Sequence, residues 1–415
     1  MKKSIAFTYA FIAAFGALVV GLNMGGISGA IDIIEAEFSL DALTKGFVTG
    51  ALMVGCLFGA LLGGRLSDKY GRKLMLIISA VLLGLSAGGC GFLSHSASAL
   101  VIYRFIGGLG VGVLSAVIPT YITEISPAEL RGTFVSFYQL FVVVGILVAY
   151  CANLFFSSYE MNWHLMLGLP LVFAILDIVL LLFLPESPIW LEQKGQKCER
   201  EKVAFKELFK GRMGYVVFLG SMLAFFQQIT GINVVVNYAP SILGKLGIAG
   251  SDPLLQTVFI GVANLIFTVI ALWLVDKFGR KTLLVCGCFG CTASLAYLTY
   301  AYSIADPSSI GVLAAILAYI GFFALSLSPL MFVVTSEMYP SRVRGTAMAF
   351  STGISWACAF LVVQFYPWME STLGTNVAFG IFAALCLAAG LFIWFLIPET
   401  KGKSLESIEK ELKLR

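Results

Sequence analysis

Long apolar stretches, separated by short polar ones, run along the whole chain. Each has about 20 residues, the number that a helix needs to cross a hydrocarbon core of about 30 Å. Backbone amides in lipid need partners within their own segment, and strand-like alternation is absent. The pattern predicts an all-α membrane protein with twelve transmembrane helices. Their approximate limits are 5–27, 44–64, 74–93, 99–121, 134–156, 163–184, 214–240, 254–275, 282–303, 310–335, 345–368 and 376–397.

Composition supports the same class. Of the 415 residues, 59% are hydrophobic and 12% are charged, whereas soluble domains carry roughly 25% charged residues. The net charge of +4 is small and scattered, so the lipid bilayer rather than nucleic acid is the expected partner. The N-terminal stretch is too long for a signal peptide and lacks a convincing cleavage site, so we interpret it as the first helix.

Basic residues predict the orientation in the membrane. Of the 27 Lys and Arg residues, all except Lys45, Lys245 and Arg104 fall on one side of a twelve-span chain. Lys and Arg near helix ends are retained in the cytoplasm, so both termini are expected there. The short outer loops carry no glycosylation sequon, which is compatible with the plasma membrane (the inner membrane of a bacterial cell).

The two halves of the chain resemble one another. Three motif pairs recur at an offset of 208 or 213 residues, which indicates an internal repeat. The pairs are DKYGRKLMLI with DKFGRKTLLV, TEISPAELRG with SEMYPSRVRG, and PES with PET. The chain is therefore divided into two pseudo-symmetric six-helix bundles and two polar segments. These are an N-terminal bundle at 1–184, a linker with a short amphipathic helix at 185–213, a C-terminal bundle at 214–397 and a cytoplasmic tail at 398–415.

Charged residues of the repeated motifs are candidates for a cytoplasmic gate. We expect them to pair between helices when that side is closed and to separate when it opens, as one half rocks against the other. The alternative is that they are ordinary topology signals. The candidates are Asp68, Arg72, Glu124, Arg131 and Glu186 in the first half, and Asp276, Arg280, Glu337 and Arg344 in the second.

Neutral amides inside the apolar stretches are candidates for substrate binding. A polar group in a span costs free energy unless it meets a partner or a water-filled cavity. An amide both donates and accepts hydrogen bonds, which suits the hydroxyls of a sugar or polyol. The alternative is a helix-to-helix hydrogen bond. The candidates are Gln139, Gln227, Gln228, Asn233 and Asn264; Gln227 and Gln228 are expected to point in different directions.

The motifs GGRLSDKYGRK, PESPIWL, QQITGIN and PETKG, in this order, resemble the sugar porter family of the major facilitator superfamily. The resemblance covers essentially the whole chain and implies alternating access for a monosaccharide. It implies that the five amides bind sugar hydroxyls, that Phe332 and Trp356 line the cavity, and that Asn237 and Tyr238 form an outer gate. Phe332 replaces the family's usual Trp, Ser355 and Ala359 stand where amides are common, and Asn237 replaces a Tyr. The second half is therefore expected to offer fewer hydrogen bonds than a typical hexose site.

The resemblance also bears on proton coupling. Proton-coupled members carry an aspartate in the first helix, where this chain has Asn23, while the usual partner Arg104 remains. Because an amide cannot titrate, we expect a facilitative uniporter of a hexose or similar monosaccharide. Arg104 should then be satisfied by Asn23, backbone carbonyls or water. Two alternatives stay open: a proton symporter that uses Asp177, and a non-transporting sugar sensor.

Enzymatic chemistry is not expected. No metalloprotease motif, serine nucleophile motif or paired membrane aspartates occur in the sequence, so neither a cofactor nor a catalytic residue is predicted. Cys286, Cys288 and Cys291 are interpreted as packing residues rather than a metal site, since only the last two share a helix face. The protein is expected to work as a monomer.

Overall fold

The computed structural model describes residues 3–127, 130–160, 162–195, 208–209, 211–245, 252–304, 308–340 and 343–401. The side chains of Arg131 and Asp276 lie outside this description, as do most of the predicted amphipathic linker helix and of the tail. The described residues form sixteen α-helices. They are α1 (Lys3–Phe38), α2 (Ala42–Tyr70), α3 (Arg72–Gly88), α4 (Ala97–Ile125), α5 (Arg131–Ser158), α6 (Trp163–Gly168), α7 (Pro170–Leu182), α8 (Pro188–Gly195), α9 (Gly211–Ile229), α10 (Ile232–Gly244), α11 (Pro253–Phe278), α12 (Arg280–Ala301), α13 (Ser309–Leu325), α14 (Leu327–Met338), α15 (Arg344–Leu373) and α16 (Thr375–Leu396).

Twelve helical spans among the described residues are long and apolar enough to cross a membrane. The prediction of an all-α protein with twelve transmembrane helices is therefore confirmed. The first span, Lys3–Phe38, continues well beyond its predicted end at residue 27, because the helix extends through the polar positions that follow the apolar stretch. A π-helical turn, Gly89–Leu93, extends α3.

Three spans are interrupted. The sixth is divided between α6 and α7, the seventh between α9 and α10, and the tenth between α13 and α14. The break in the seventh falls at Gly231 (φ 92°), and the break in the tenth falls at Ser326 (φ −128°, ψ −84°). Non-helical backbone at membrane depth occurs where it is buried in protein or lines a cavity. These breaks are therefore candidate positions for a functional site.

Residue contacts divide the chain into two compact units. The first contains Met1–Arg200 with Val236–Ile242 and Asp252–Gly261, and the second contains the remainder. The predicted boundary placed all of 214–397 in the second half. The contacts instead group the later part of α10 with the first unit, where the hydroxyl of Tyr150 donates to the Val236 carbonyl at 2.8 Å.

Helices of the first unit pack in close pairs, α1 with α5 and α2 with α4. At the α2–α4 contact, Gly55 lies against the Phe105 carbonyl, and Gly108 lies against the Leu52 carbonyl. A Cβ atom at either glycine would overlap the facing backbone. In membranes, where apolar burial gives little driving force, such close contact between small residues stabilises helix pairs.

In the second unit, α12 packs against α13 and α16, and α9 packs against α15. Cys288 and Cys291 are buried on α12, while Cys286 is exposed. The Cys291 thiol donates to the Tyr319 carbonyl at 3.7 Å. The three cysteines thus do not converge on one point within the described residues.

Candidate functional site

Three amide side chains meet at the break between α9 and α10 in the second unit. The Gln228 Nε2 atom donates to Gln227 Oε1 at 3.3 Å, and Asn233 Nδ2 donates to Gln228 Oε1. Gln228 Nε2 also donates to the Ser355 hydroxyl of α15 at 2.9 Å. Gln227 and Gln228, which were expected to point in different directions, bond to each other through their long side chains, while Gln227 also reaches α14. Gln227, Gln228, Asn233 and Ser355 are called the amide cluster below.

The two interrupted spans bring this cluster together. α9 ends at Ile229, and the turn at Gly231 places Asn233 of α10 beside Gln228. The hydroxyl of Tyr319 in α13 donates to the Thr230 carbonyl at 3.0 Å and holds the turn in place. The Tyr319 bond satisfies the Thr230 carbonyl at the break between α9 and α10, which would otherwise be unpaired in an apolar environment.

Gln227 and Gln228 differ in what they bind. Gln227 Nε2 donates to the Leu327 carbonyl at 3.1 Å and the Ser328 carbonyl at 3.4 Å, at the start of α14. Among the described residues, Gln228 and Ser355 form hydrogen bonds only with side chains. Gln227 is therefore a structural tie between α9 and α14, whereas the bonds of Gln228 and Ser355 can exchange for those of a bound hydroxyl.

Ser355 is the residue whose role the sequence prediction missed. We expected this position to reduce the hydrogen bonding of the second half, yet its hydroxyl joins the cluster and also contacts Gln227 Oε1 at 3.4 Å. A hydroxyl both donates and accepts, so a serine can substitute for an amide where two helices come close. Only the approach of α9 to α15 reveals this.

The other predicted binding residues lie outside this hydrogen-bonded cluster. Trp356 follows Ser355 on α15 and is half-buried, as is Asn264 on α11. Phe332 on α14 is 42% exposed. Gln139 lies half-buried on α5 in the first unit. Within the second unit, the structure brings together Gln227, Gln228 and Asn233 of the predicted amides, all from the seventh span.

At the predicted coupling position, Asn23 and Arg104 are both buried in the first unit. Asn23 Nδ2 donates to the Val19 carbonyl one turn earlier at 2.9 Å. Arg104 Nη2 donates to the Thr49 carbonyl of α2 at 2.9 Å. A backbone carbonyl, one of the expected partners, therefore binds this guanidinium in place of a carboxylate.

The predicted outer-gate residues lie in the part of α10 that belongs to the first unit. Asn237 and Tyr238 are both buried. The backbone of Tyr238 is not helical (φ −122°, ψ 16°), and Pro240 follows two residues later. The proline removes a backbone donor, so α10 is kinked within the part that belongs to the first unit. We call residues 236–242 the outer segment.

Charged side chains pair closely at one end of the first unit. Arg72, 2% exposed, donates through Nε and Nη2 to the two carboxylate oxygens of Glu124 at 3.0 and 2.9 Å. Arg72 Nη2 also lies 2.9 Å from Asp68 Oδ1. This two-point pairing is the strongest geometry for a guanidinium and a carboxylate. It joins the α2–α3 corner to the end of α4.

Glu186 binds the first turn of α3. Its Oε1 atom accepts from the backbone N–H groups of Arg72 at 2.9 Å and Lys73 at 3.1 Å. A carboxylate at a helix N-terminus satisfies unpaired donors and complements the helix dipole. Gly71 precedes this turn with φ 107°, and a Cβ atom there would overlap Glu186. Glycine is thus required by both the backbone angle and the close carboxylate.

The second unit repeats this arrangement more loosely. Arg280 Nη2 lies 3.5 Å from Glu337 Oε1, and Gly279 precedes the helix with φ 86°. Glu399 accepts from the N–H groups of Arg280 at 3.0 Å and Lys281 at 3.1 Å. Partial burial opposes ionisation of Glu399, but these bonds and one from Lys401 lower the pKa of its carboxyl below the usual value. Arg344 donates to the Tyr339 carbonyl at 3.1 Å.

Glu399 was not among the predicted gating residues. The signal was nevertheless present, since the matched PES and PET motifs align Glu186 with Glu399.

Asp177 is buried without a partner in the first unit. The residue is 1% exposed, and neither carboxylate oxygen has a hydrogen-bond partner in the described part of the chain. Its Oδ2 atom faces Gly16 of α1, where an added Cβ would lie at 3.0 Å. A buried polar group without a partner is costly, so this carboxyl calls for a functional explanation.

Twelve spans, two units with corresponding arginine–glutamate pairs, and an uncharged polar cluster at a broken helix define a membrane transporter built from an internal repeat. A family model described as "Sugar (and other) transporter" matches residues 9–208 and 196–412. The chain belongs to the sugar porter family of the major facilitator superfamily, as its motifs indicated. It is a membrane transporter and not an enzyme.

Individual relatives match over almost their full length. The probable metabolite transport protein CsbC of Bacillus subtilis is 34% identical, over 98% of this chain and 94% of its own. The D-xylose-proton symporter of Escherichia coli is 33% identical, over 98% and 96%. A solved structure of the xylose transporter XylE from E. coli, partially occluded and inward open, matches with a TM-score of 0.84 and 32% identity, over 97% of this chain and 100% of that one.

Proposed function

We propose that the protein is a facilitative carrier of a hexose or a similar monosaccharide, and that it works by alternating access. The amide cluster supports a polyhydroxylated substrate. Its four side chains are uncharged, and each offers both donors and acceptors. A sugar hydroxyl can replace the mutual bonds of Gln228 and Ser355 without leaving a buried group unpaired. A charged substrate would find no opposite charge within this cluster.

Asn23 is the observation that carries uniport. Its amide has no titratable proton, and it bonds to a backbone carbonyl of its own helix. Arg104 is bound to the Thr49 carbonyl through Nη2, while its buried Nε has no hydrogen-bond partner among the described residues. The E. coli relative is named a D-xylose-proton symporter, so coupling is the property in which this proposal departs from that relative.

Flux measurements on purified protein in liposomes test the proposal. We expect labelled monosaccharide to enter down its gradient, to exchange rapidly, and to keep its rate when the pH gradient is collapsed. Addition of sugar should leave the external pH unchanged. Accumulation against a gradient, or external alkalinisation on sugar addition, contradicts uniport. Binding without flux contradicts transport.

Gln228→Ala and Gln227→Ala are expected to separate substrate binding from structure. Loss of one hydrogen bond costs about 0.5–1.5 kcal/mol, so Gln228→Ala should raise KM up to about tenfold with little change in Vmax. Gln227→Ala leaves the Leu327 carbonyl without this donor, so it should lower the thermal stability and the Vmax. Uptake kinetics measure KM and Vmax, and thermal unfolding in detergent measures stability. A KM unchanged in Gln228→Ala removes Gln228 from the binding site.

A second candidate function, proton-coupled transport through Asp177, is favoured by that side chain's burial without a partner. An ionisable group inside a span is by default a functional candidate. The Gly16 backbone on one side leaves room for the carboxyl but supplies no opposite charge.

Asp177→Asn distinguishes the two functions. Asparagine keeps the shape of the carboxylic acid but cannot release a proton. Uniport predicts that the uptake rate of Asp177→Asn, and the dependence of that rate on external pH, stay within about twofold of wild type. A change of this size is typical of a substitution that removes no essential interaction. Loss of uptake driven by a pH gradient, with downhill exchange retained, would instead establish Asp177 as the coupling group. Uptake in liposomes with and without an imposed gradient measures this.

The topology in this proposal places both termini in the cytoplasm and a single chain as the transport unit. The distribution of Lys and Arg supports the orientation, since only Lys45, Lys245 and Arg104 fall outside the cytoplasmic segments. The connection between α1 and α2 then faces the outside of the cell.

A further inference from the structure

A compact ionic cluster lies at the α1–α2 connection in the first unit. Lys45 of α2 is 8% exposed, and its Nζ atom lies 2.8 Å from Asp32 Oδ1 and 2.6 Å from Glu35 Oε2. Both carboxylates belong to the last turns of α1. Lys45 is thus a basic residue on the side where basic residues are scarce, and two acidic groups explain its position. The motifs and the proposed transport cycle do not use this cluster.

The cluster reaches the outer segment through one side chain. The Ser241 hydroxyl lies 2.7 Å from each oxygen of Asp32. Ser241 follows Pro240, after the kink at Tyr238. A hydroxyl donating to a carboxylate forms a charge-assisted bond, stronger than one between neutral groups. The side chain of Asp32 is nevertheless 46% exposed, so water can replace the serine when the segment leaves.

The cluster therefore has a fixed part and a releasable part. Buried Lys45 holds Asp32 in one orientation on α1, whether or not Ser241 is bound. The Ser241 bond extends from this cluster to the segment that carries Asn237 and Tyr238. Within the described residues, the Tyr150 hydroxyl also donates to the Val236 carbonyl, at the opposite end of this segment.

We propose that Asp32, oriented by Lys45, and Ser241 form a latch that positions the outer segment during transport. They act as positioning residues, because they hold the outer-gate candidates without contacting the sugar. The latch rests on the proposed carrier function: sugar entry from outside requires the outer segment to leave α1 and α2, and the latch sets how often it does so. Breaking the latch favours the released state.

Cysteine labelling tests the release directly. Ile242 is fully buried in the outer segment, so Ile242→Cys should react slowly with a membrane-impermeant maleimide added outside. In that background, Ser241→Ala removes one bond and Asp32→Asn removes the acceptor charge, while Lys45 keeps Glu35. Each should raise the labelling rate about three- to tenfold, as expected for loss of one hydrogen bond. Ser241→Thr keeps the hydroxyl and should restore slow labelling.

Asp41→Asn is the matched control. Asp41 is an exposed carboxylate on the same connection, and it caps α2 through the Thr44 N–H at 3.3 Å. Asparagine caps a helix equally well, so this variant removes one charge at the same face without touching the latch. Its labelling rate should equal that of the background protein. The background without Ile242→Cys corrects for the native cysteines.

Transport kinetics supply the second readout. A bias towards the released state should lower the KM for external sugar about threefold in Ser241→Ala, with the exchange rate at saturating sugar unchanged. A merely structural role would instead lower Vmax and the amount of folded protein. Labelling rates of Ser241→Ala and Asp32→Asn equal to that of Asp41→Asn overturn the latch. Faster labelling in a protein that transports no sugar overturns the carrier proposal and leaves the latch standing.

Discussion

Arg72→Met is expected to destabilise the protein by about 3–5 kcal/mol and to abolish most transport. The substitution leaves Glu124 largely buried without the guanidinium that binds both of its oxygens, and removing one partner of a buried ion pair has this cost. The free energy of unfolding in detergent, together with uptake in liposomes, measures the effect. The double variant Arg72→Met/Glu124→Leu should recover much of the stability, since an apolar pair avoids the unpaired charge.

Arg280→Met supplies a matched comparison from the other half of the repeat. Arg280 and Glu337 are 3.5 Å apart, and their side chains are more exposed than Arg72 and Glu124. This partly buried pair makes one long contact in place of a two-point pairing, so the cost should be smaller than that of Arg72→Met. Equal losses in the two single variants would show that the closeness of the pair does not set its contribution.

Gly108→Ala is expected to cost about 3 kcal/mol and to reduce the amount of folded protein in the membrane. The new Cβ atom would overlap the Leu52 carbonyl of α2, and backbone cannot rotate away as a side chain can. The helices must separate, and the free-energy cost of that separation lies at the upper end of the usual cost of overpacking. Thermal unfolding in detergent and the yield of monodisperse protein measure this.

Gly64→Ala is the control for the glycine effect. Gly64 lies on α2 as well, but nothing lies within 4 Å of a Cβ placed there. Alanine favours a helix over glycine by about 0.5–1 kcal/mol, so this variant should be neutral or slightly stabilising. A loss comparable to that of Gly108→Ala would mean that the α2–α4 contact does not depend on close backbone approach.

The spans were predictable from the sequence, while the breaks within them were not. Lipid forces a long apolar stretch to be helical, so length and hydropathy determine where the chain crosses. The turn at Gly231 and the break at Ser326 depend on bonds from other helices, such as that from the Tyr319 hydroxyl to the Thr230 carbonyl. No local pattern specifies such a partner.

The amide cluster was predicted in part, for a similar reason. Gln227, Gln228 and Asn233 could be identified because amides are rare in apolar spans. Gln227 is a structural tie because it bonds to the Leu327 carbonyl, whereas Gln228 is an exchangeable donor. That carbonyl comes from another helix, so the sequence alone does not distinguish the two residues. The contribution of Ser355 depends on how close α15 comes to α9, and a serine in a span by itself carries no such information.

The internal repeat also predicts the position of Glu399, which the sequence analysis did not identify. It implied a partner for the start of α12 equivalent to Glu186, and Glu399 has that position. The Lys45 cluster was visible only as an exception to the distribution of basic residues. Asp32 and Glu35 lie thirteen and ten residues before it, so their pairing required the turn between α1 and α2.

The interlocked glycines of α2 and α4 provide an internal reference distance for spectroscopy. Two helices whose backbones touch at Gly55 and Gly108 cannot slide or spread without breaking that seam, so a pair of probes, one on each helix, reports a constant distance throughout a turnover. Any change measured from this pair to a probe elsewhere in the chain can then be assigned to the other site.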